Sequence, residues 1–297
     1  ANVCAVNVVK SISNIDGLSN NSVNCIFEDS ENILWVGTWD GLNAYNGRDI
    51  KTFRYSRNSD KTISNNIIRQ ILEQDKRYIW ISTDYGINRW DRTNLIFDRF
   101  YLGTENKVPK QENSYIIDIT PDGTVYCFVR NEGLFYFDNK QNKFIPIPLS
   151  FSDYIKTFKI DGDGYIFFLF QAGDLLYKNI KILNKVKTVN DLEPIHHTGS
   201  ITNIFLLDKE IAITSQNKIA LLDKSKKVRK SISLNIDKNI SGIAKNKNLI
   251  YISFLEGGCV SYSLDTDKYS FVSEISDNTS LFTVYKGSQD ILWFGSD

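Results

Sequence analysis

The sequence predicts an all-β fold: a seven-bladed β-propeller of four-stranded antiparallel blades, the last blade incomplete. Three observations carry that expectation. One phrase, Ile33-Leu34-Trp35-Val36-Gly37-Thr38-Trp39-Asp40-Gly41-Leu42-Asn43-Ala44-Tyr45, returns as Tyr78-Ile79-Trp80-Ile81-Ser82-Thr83-Asp84-Tyr85-Gly86-Ile87-Asn88-Arg89-Trp90 and begins again as Ile291-Leu292-Trp293-Phe294-Gly295-Ser296-Asp297. Within it, short apolar strands flank a tight turn, and the second strand alternates faces with the period of a half-buried strand. The position of Trp35 recurs at Trp80, Tyr126, Phe167, Ala212, Tyr251 and Trp293, steps of about forty residues, which is the spacing of propeller blades.

Taken in order, residues 3–12 predict a lone strand, followed by a polar turn region at 14–21. Repeat one then supplies strands A to D at 23–28, 33–38, 42–45 and 50–55. Its separators, Asp29 to Asn32, Thr38 to Gly41 and Asn46-Gly47, have the chemistry of tight turns. Repeat two repeats the pattern at 66–73, 79–83, 87–90 and 96–101. Repeats three to six keep the rhythm with weaker motifs, the outer strand of repeat four being placed at 181–183. Repeat seven supplies only 280–285 and 291–295. The blades run approximately 17–56, 63–102, 114–149, 153–189, 199–235, 239–275 and 280–297, one propeller domain over 1–297. Two sheet edges would be hidden at once if strand 3–12 joined the sheet of repeat seven. A third strand is missing there, so the chain is expected to continue past Asp297. With no methionine, it reads as a processed or excised piece whose anchor or address lies elsewhere.

Composition narrows the function. Lys+Arg and Asp+Glu both number 35, which argues against a nucleic-acid binder with a broad basic surface. No apolar run approaches the ~18 residues of a membrane helix, so direct membrane insertion by this stretch is not expected. Cys4, Cys25, Cys127 and Cys259 have no metal-type spacing and read as buried free thiols. His196 and His197 stand together in a loop with no third ligand, a solvated pair rather than a metal centre. Asp161-Gly162-Asp163-Gly164 begins like a Ca²⁺ loop but lacks the later acidic ligand, so it reads as a hairpin turn. Trp35, Trp80 and Trp293 share one inner-strand position and read as core.

The motif [LI]-W-[IV]-G-T-x-x-G-[LI]-N-x-[YW], preceded by L-S-N-N-x-V, resembles the two-component regulator propeller repeat. Residues 17–45 and 63–90 carry it almost intact and 291–297 carry its start, while the middle repeats keep only the strand rhythm. The resemblance implies the periplasmic sensor region of a hybrid two-component histidine kinase of the Bacteroidetes type. There, two propellers in tandem precede an immunoglobulin-like domain, a membrane helix, a histidine kinase and a response-regulator module. It implies an oligosaccharide ligand, this chain as the first propeller, a second propeller of the same chain as partner, and a homodimer. No cofactor and no catalysis by this fragment are implied.

Position selects the candidate site. In a propeller the B–C and D–A loops gather at one face around the axial mouth. The B–C loops contribute Trp39, Asp40, Asp84, Tyr85, Arg130, Asn131, Glu132, Gln171, Gln216, Asn217, Glu256, Ser296 and Asp297. Carboxylates, amides and a guanidinium can pair with sugar hydroxyls, and aromatic rings can cover apolar pyranose faces. Trp39 stands out, because a turn has no structural need for an indole. A protein-interaction scaffold is the alternative. A lyase or hydrolase is a third reading, since the lyase that opens streptogramin antibiotics has a similar fold and fold does not settle function.

Overall fold

The structure, a computed structural model, describes residues 9–102, 114–130, 132–151, 154–197, 199–208 and 210–297. Blade one is β1 (Val23–Glu28), β2 (Leu34–Thr38), β3 (Gly41–Tyr45) and β4 (Ile50–Phe53); blade two is β5 (Ile68–Gln74), β6 (Tyr78–Thr83), β7 (Gly86–Asp91) and β8 (Ile96–Phe100). Blade three is β9 (Tyr115–Ile119), β10 (Val125–Val129), β11 (Gly133–Asp138) and β12 (Lys143–Ile147); blade four is β13 (Ile155–Ile160), β14 (Tyr165–Phe170), β15 (Leu175–Asn179) and β16 (Glu193–Pro194). Blade five is β17 (Asn203–Leu207), β18 (Glu210–Ser215), β19 (Lys218–Leu222) and β20 (Val228–Ser233); blade six is β21 (Ile240–Asn246), β22 (Leu249–Phe254), β23 (Cys259–Ser263) and β24 (Tyr269–Phe271). The last unit is β25 (Leu281–Lys286) and β26 (Leu292–Ser296). Each sheet keeps its strands in chain order with antiparallel neighbours, as hairpin connections require.

Among the described residues the fold is thus a propeller with six four-stranded blades, not seven, and a two-stranded sheet after them. Counting inner-strand positions overestimated the blades, because an A–B pair recurs without its outer strands. The expected N-terminal strand 3–12 lies outside the described residues up to residue 8, and residues 9–12 are not strand. In blade four the outer strand is not at 181–183. That stretch is a 3-10 turn, Ile180–Lys185, started by the Asn179 side chain accepting from Lys181 N at 3.0 Å. Its Leu183 is buried in the core beside Phe168 and Phe170, and Glu193–Pro194 takes the outer position instead.

An aromatic quartet explains why the tryptophan phrase recurs. Trp35 stacks on Phe53 at 6.0 Å, and Phe53 meets Trp90 and Phe97 of blade two at 5.2 and 5.3 Å. One blade on, Trp80, Phe100, Phe137 and Phe144 repeat the arrangement. Each set spans two blades, and aromatic pairs at such spacing add about 0.5–1.5 kcal/mol beyond area burial. The indole N–H is satisfied too: Trp35 Nε1 donates to Asp29 Oδ2 at 2.6 Å, and Trp80 Nε1 to Gln74 Oε1 at 2.8 Å. Trp293 departs from this, being only partly buried. Among the described residues no outer strand lays a ring over it, and Gly287 stands where Asp29 stands in blade one.

The ring closes by repeating its own interfaces. A Cβ on Gly37 would come within 2.6 Å of Ile68 Cγ2 in blade two; a Cβ on Gly295 would come within 2.8 Å of Val23 Cγ1 in blade one. Glu73 of blade two accepts from Ser30 N and Oγ of blade one at 2.9 and 2.7 Å. Glu28 of blade one accepts from Ser288 N and Oγ at 2.7 and 2.5 Å. The last sheet therefore docks on blade one as blade one docks on blade two.

Candidate functional site

The repeated motif builds a scaffold at the B–C turn. Ser19 N donates to Asn43 Oδ1 at 2.9 Å, and Asn43 Nδ2 donates back to Ser19 Oγ at 2.8 Å and to Val36 O at 3.1 Å. The Ser19 and Thr38 hydroxyls lie 2.8 Å apart, and Thr38 Oγ1 donates to Gly41 O at 3.0 Å. Ser64, Thr83, Gly86 and Asn88 repeat the cage in blade two. Gly41 and Gly86 hold φ of +135° and +126°, and a Cβ at either would stand 2.9 Å from a carbonyl of the neighbouring outer strand region. These motif residues, buried apart from the half-buried Ser19, are mutually bonded, so they position the turn and leave recognition to the residues at its tip.

Those tips come together at blades one and two. Trp39 is 48% exposed, a large apolar ring held on the surface. The Arg69 guanidinium lies 5.3 Å from its ring centroid, a cation–π distance. Arg69 Nε and Nη2 in turn bond Asp84 Oδ1 and Oδ2 at 2.6 and 2.9 Å. This fork fixes the guanidinium plane, and Asp84 itself is buried. Beside it, Asp40 pairs with Arg54 at 3.2 Å and accepts from Asn66 Nδ2 at 3.0 Å. Tyr85 is half-buried, its N–H donating to Thr83 Oγ1 at 3.2 Å. Arg69 thus links Trp39 of blade one to Asp84 of blade two, while Asp40 and Tyr85 flank them in the same two turns, held by Arg54 and Asn66 and by Thr83.

The other candidates remain on the B–C loops of blades three to six. Arg130 and Glu132 are exposed in blade three, and Asn131 lies outside the described residues. Gln171 is exposed, with its N–H donating to Tyr154 O at 2.9 Å. Gln216 sits at φ 54° in its turn, and Asn217 O accepts from Leu234 N. Glu256 is exposed but engaged: its carboxylate accepts from Asn239 N and Nδ2 at 2.7 and 2.5 Å, which makes it a loop clamp. Asp297 accepts from Ser22 Oγ at 2.6 Å and joins the closure of the ring.

Sequence reasoning missed Arg69 and the device that presents it. The innermost strand is bulged near its start between Val23 and Cys25, Ile68 and Gln70, Ile155 and Thr157, Ile240 and Gly242, and Leu281 and Thr283. A bulge leaves one residue unpaired and re-aims its side chain. Four of the bulged residues are polar: Asn24, Arg69, Lys156 and Ser241. Asn24 Nδ2 and Lys156 Nζ donate to carbonyls of the next blade, Ile68 O and Thr202 O, at 2.9 and 2.8 Å. The signal was a polar residue directly after the first apolar residue of four of the A strands, at Asn24, Arg69, Lys156 and Ser241.

Among the described residues no group of three or more His, Cys, Asp or Glu could hold a metal ion. His196 is exposed and His197 half-buried in their loop. Asp161 caps the β13–β14 turn, accepting from Asp163 N and Tyr165 N at 3.0 and 2.9 Å, and its other oxygen pairs with the buried Lys226. Cys25, Cys127 and Cys259 are free thiols. Burial pushes Cys25 and Cys259 up to about 12, and Cys127 well above its ordinary value. Two clefts, of about 350 and 320 Å³, lie between blades one and two and between blades four and five. Both are lined by A–B and C–D turn residues, on the opposite face from Trp39.

Comparison with known proteins bears on the fold and on one repeat. Residues 17–40 match the family described as Two component regulator propeller, the segment that contains the Ser19–Thr38 cage. Histidine kinase P4 of Formosa agariphila is 45% identical over 56 residues, which are 19% of this chain and 4% of that protein. The extracellular domain of the hybrid two component system BT3049 of B. thetaiotaomicron superposes with a TM-score of 0.75 at 20% identity, covering 97% of this chain and 40% of that one. A streptogramin B lyase superposes with a TM-score of 0.66 at 11% identity, covering 94% of this chain and 92% of that one. The chain therefore spans well under half the length of the two signalling proteins, and the lyase shares the fold alone. No helix among the described residues is long and apolar enough to cross a membrane. The chain is a β-propeller in which residues 17–40 match the two-component regulator propeller repeat.

Proposed function

We propose that this propeller is the extracytoplasmic, periplasmic ligand-sensing part of a hybrid two-component signalling protein, and that it recognises an oligosaccharide on its B–C loop face. The observation that carries the reading is the half-exposed Trp39 beside the Arg69–Asp84 fork. An indole face suits the C–H face of a pyranose, and a fixed guanidinium with carboxylates suits hydroxyl pairs. Asp40 and Asp84 are both engaged by guanidinium groups, which equips them to orient hydroxyls rather than to shuttle protons. Ligand binding would favour one arrangement of this propeller against a second propeller of the same chain and, in a homodimer, change the spacing of the membrane helices.

A thermal-shift screen against oligosaccharides tests this. At a ligand concentration one hundred times Kd the stabilisation is about 2.7 kcal/mol, or roughly 4 °C for a chain of this length. The shift should vanish in Trp39→Ala. A shift that survives Trp39→Ala and Asp84→Ala would move recognition off this face. No shift across a broad panel, with the protein folded, would favour the scaffold reading.

A further inference from the structure

Blade four departs from the repeat at its outer edge, and the departure opens a concave site. In blade one, Ala44 lies opposite Lys51 of the outer strand; in blade four the corresponding pair is Tyr177 and Glu193. The 3-10 turn Ile180–Lys185, inserted between β15 and the short outer strand β16, forms one wall, with Ile182 38% exposed. The C–D turn of blade five, Lys224 to Lys226, forms the other. The floor is aromatic: the Tyr165 and Tyr177 rings stand 5.8 Å apart, and Tyr177 stacks on the buried Phe167 at 5.5 Å and 20°. At about 320 Å³ the cleft is near the small end of ligand pockets, roughly 300–1,000 Å³. At the blade one–two junction, by contrast, the equivalent cleft is floored by Trp35 and Trp90, which are 4% and 6% exposed and already packed as core.

The charges select a ligand class. Lys226 is neutralised by Asp161, with its ammonium 4.7 Å from the Tyr165 ring. Glu193 lies 3.4 Å from Lys178, and burial together with the Glu193 carboxylate raises the Tyr177 phenol. Lys224 is exposed at the rim and makes no ion pair among the described residues. The cleft therefore offers a ring-sized aromatic floor, a carboxylate and phenol for hydroxyls, and one uncompensated cation.

We propose that the cleft between blades four and five, floored by Tyr165 and Tyr177, binds a monosaccharide-sized hydroxylated ring that carries a carboxylate, such as a uronic acid. The ring lies on the tyrosines, Glu193 accepts from a hydroxyl, and Lys224 pairs with the acid. This site is on the opposite face from Trp39 and stands whether or not an oligosaccharide binds there.

Saturation-transfer NMR with glucuronic acid, and with glucose as the uncharged comparison, tests it. The expected result is transfer to glucuronic acid with a Kd at least tenfold tighter than for glucose. That Kd should weaken at least tenfold in Lys224→Glu, weaken in Glu193→Ala, and stay unchanged in Trp39→Ala. Both altered residues are exposed, so an unchanged Tm in each variant shows that folding is intact. No transfer, equal affinity for the two sugars, or an affinity indifferent to Lys224→Glu would overturn the proposal. Loss in Trp39→Ala alone would assign the sugar to the other face and equally overturn it.

Discussion

A single methyl group placed at Gly37 should push two blades apart. A Cβ there would stand 2.6 Å from Cys25 Sγ, and 2.6 and 2.9 Å from Ile68 Cγ2 and Cβ of blade two. Carbon atoms in contact prefer about 3.5–4.0 Å, so blade two must retreat by roughly 1 Å. The φ of Gly37 lies outside the left-handed region, so the cost comes from space alone. Overpacking of this kind costs about 1–3 kcal/mol. An unfolding entropy near ~2.1 cal/mol/K per residue over 297 residues converts that to a Tm lower by roughly 2–5 °C. Gly162→Ala is the matched control, since its Cβ meets nothing within 4 Å, and it should leave Tm unchanged. In the double variant Gly37→Ala/Ile68→Ala the added methyl occupies space the isoleucine has vacated. Differential scanning calorimetry should then show a combined loss smaller than the sum of the single losses by about 1 kcal/mol. Strict additivity, or a Gly37→Ala no worse than Gly162→Ala, would refute the packing account. Gly295→Ala should repeat the loss against Val23, because the same interface closes the ring.

Other consequences are separately measurable. Asp84→Ala should change stability by less than about 1 kcal/mol, because its partner Arg69 is 40% exposed, yet it should weaken oligosaccharide binding at least tenfold by calorimetry. Asp91 is held down at about 2 from an ordinary 3.8, first by the Arg77 hydrogen bond and then by the Thr93 and Asn94 N–H groups. A depressed carboxylate stabilises the fold above its unfolded pKa, and that contribution disappears as pH falls from about 4 toward 2. Asp91→Asn should therefore flatten the Tm–pH curve between those limits and leave it parallel above them. Cys25, Cys127 and Cys259 should be silent to an aromatic disulfide reagent at pH 8 in the native protein and react on unfolding, since burial raises all three thiols; rapid native reaction of two or more of the four thiols would contradict their placement.

Strand rhythm was legible because it rests on local alternation and turn chemistry, and both are written residue by residue. Trp35 and Trp80 were legible as core for the same reason. The role of Ser19, Thr38 and Asn43 was not, because their cage joins three segments distant in sequence. Arg69 was missed because a bulge breaks the alternation that sequence reasoning relies on. Glu256 has the composition of a binding residue, yet Asn239 of the incoming strand consumes its carboxylate. The outer strand of blade four was misplaced because the apolar pair Ile182-Leu183 falls where the repeat rhythm calls for an outer strand, while the Asn179 cap starts a 3-10 turn. Trp293 shares its phrase with Trp35, but among the described residues it has no outer strands like those that bury Trp35.

The central claim is that the Trp39 face recognises an oligosaccharide. Isothermal titration of the wild type and Trp39→Ala with the best-stabilising oligosaccharide of the screen tests it most directly. The account predicts saturable binding that weakens at least tenfold on removal of the indole, with Tm unchanged because the ring is half exposed. Equal affinity in the two proteins would contradict it.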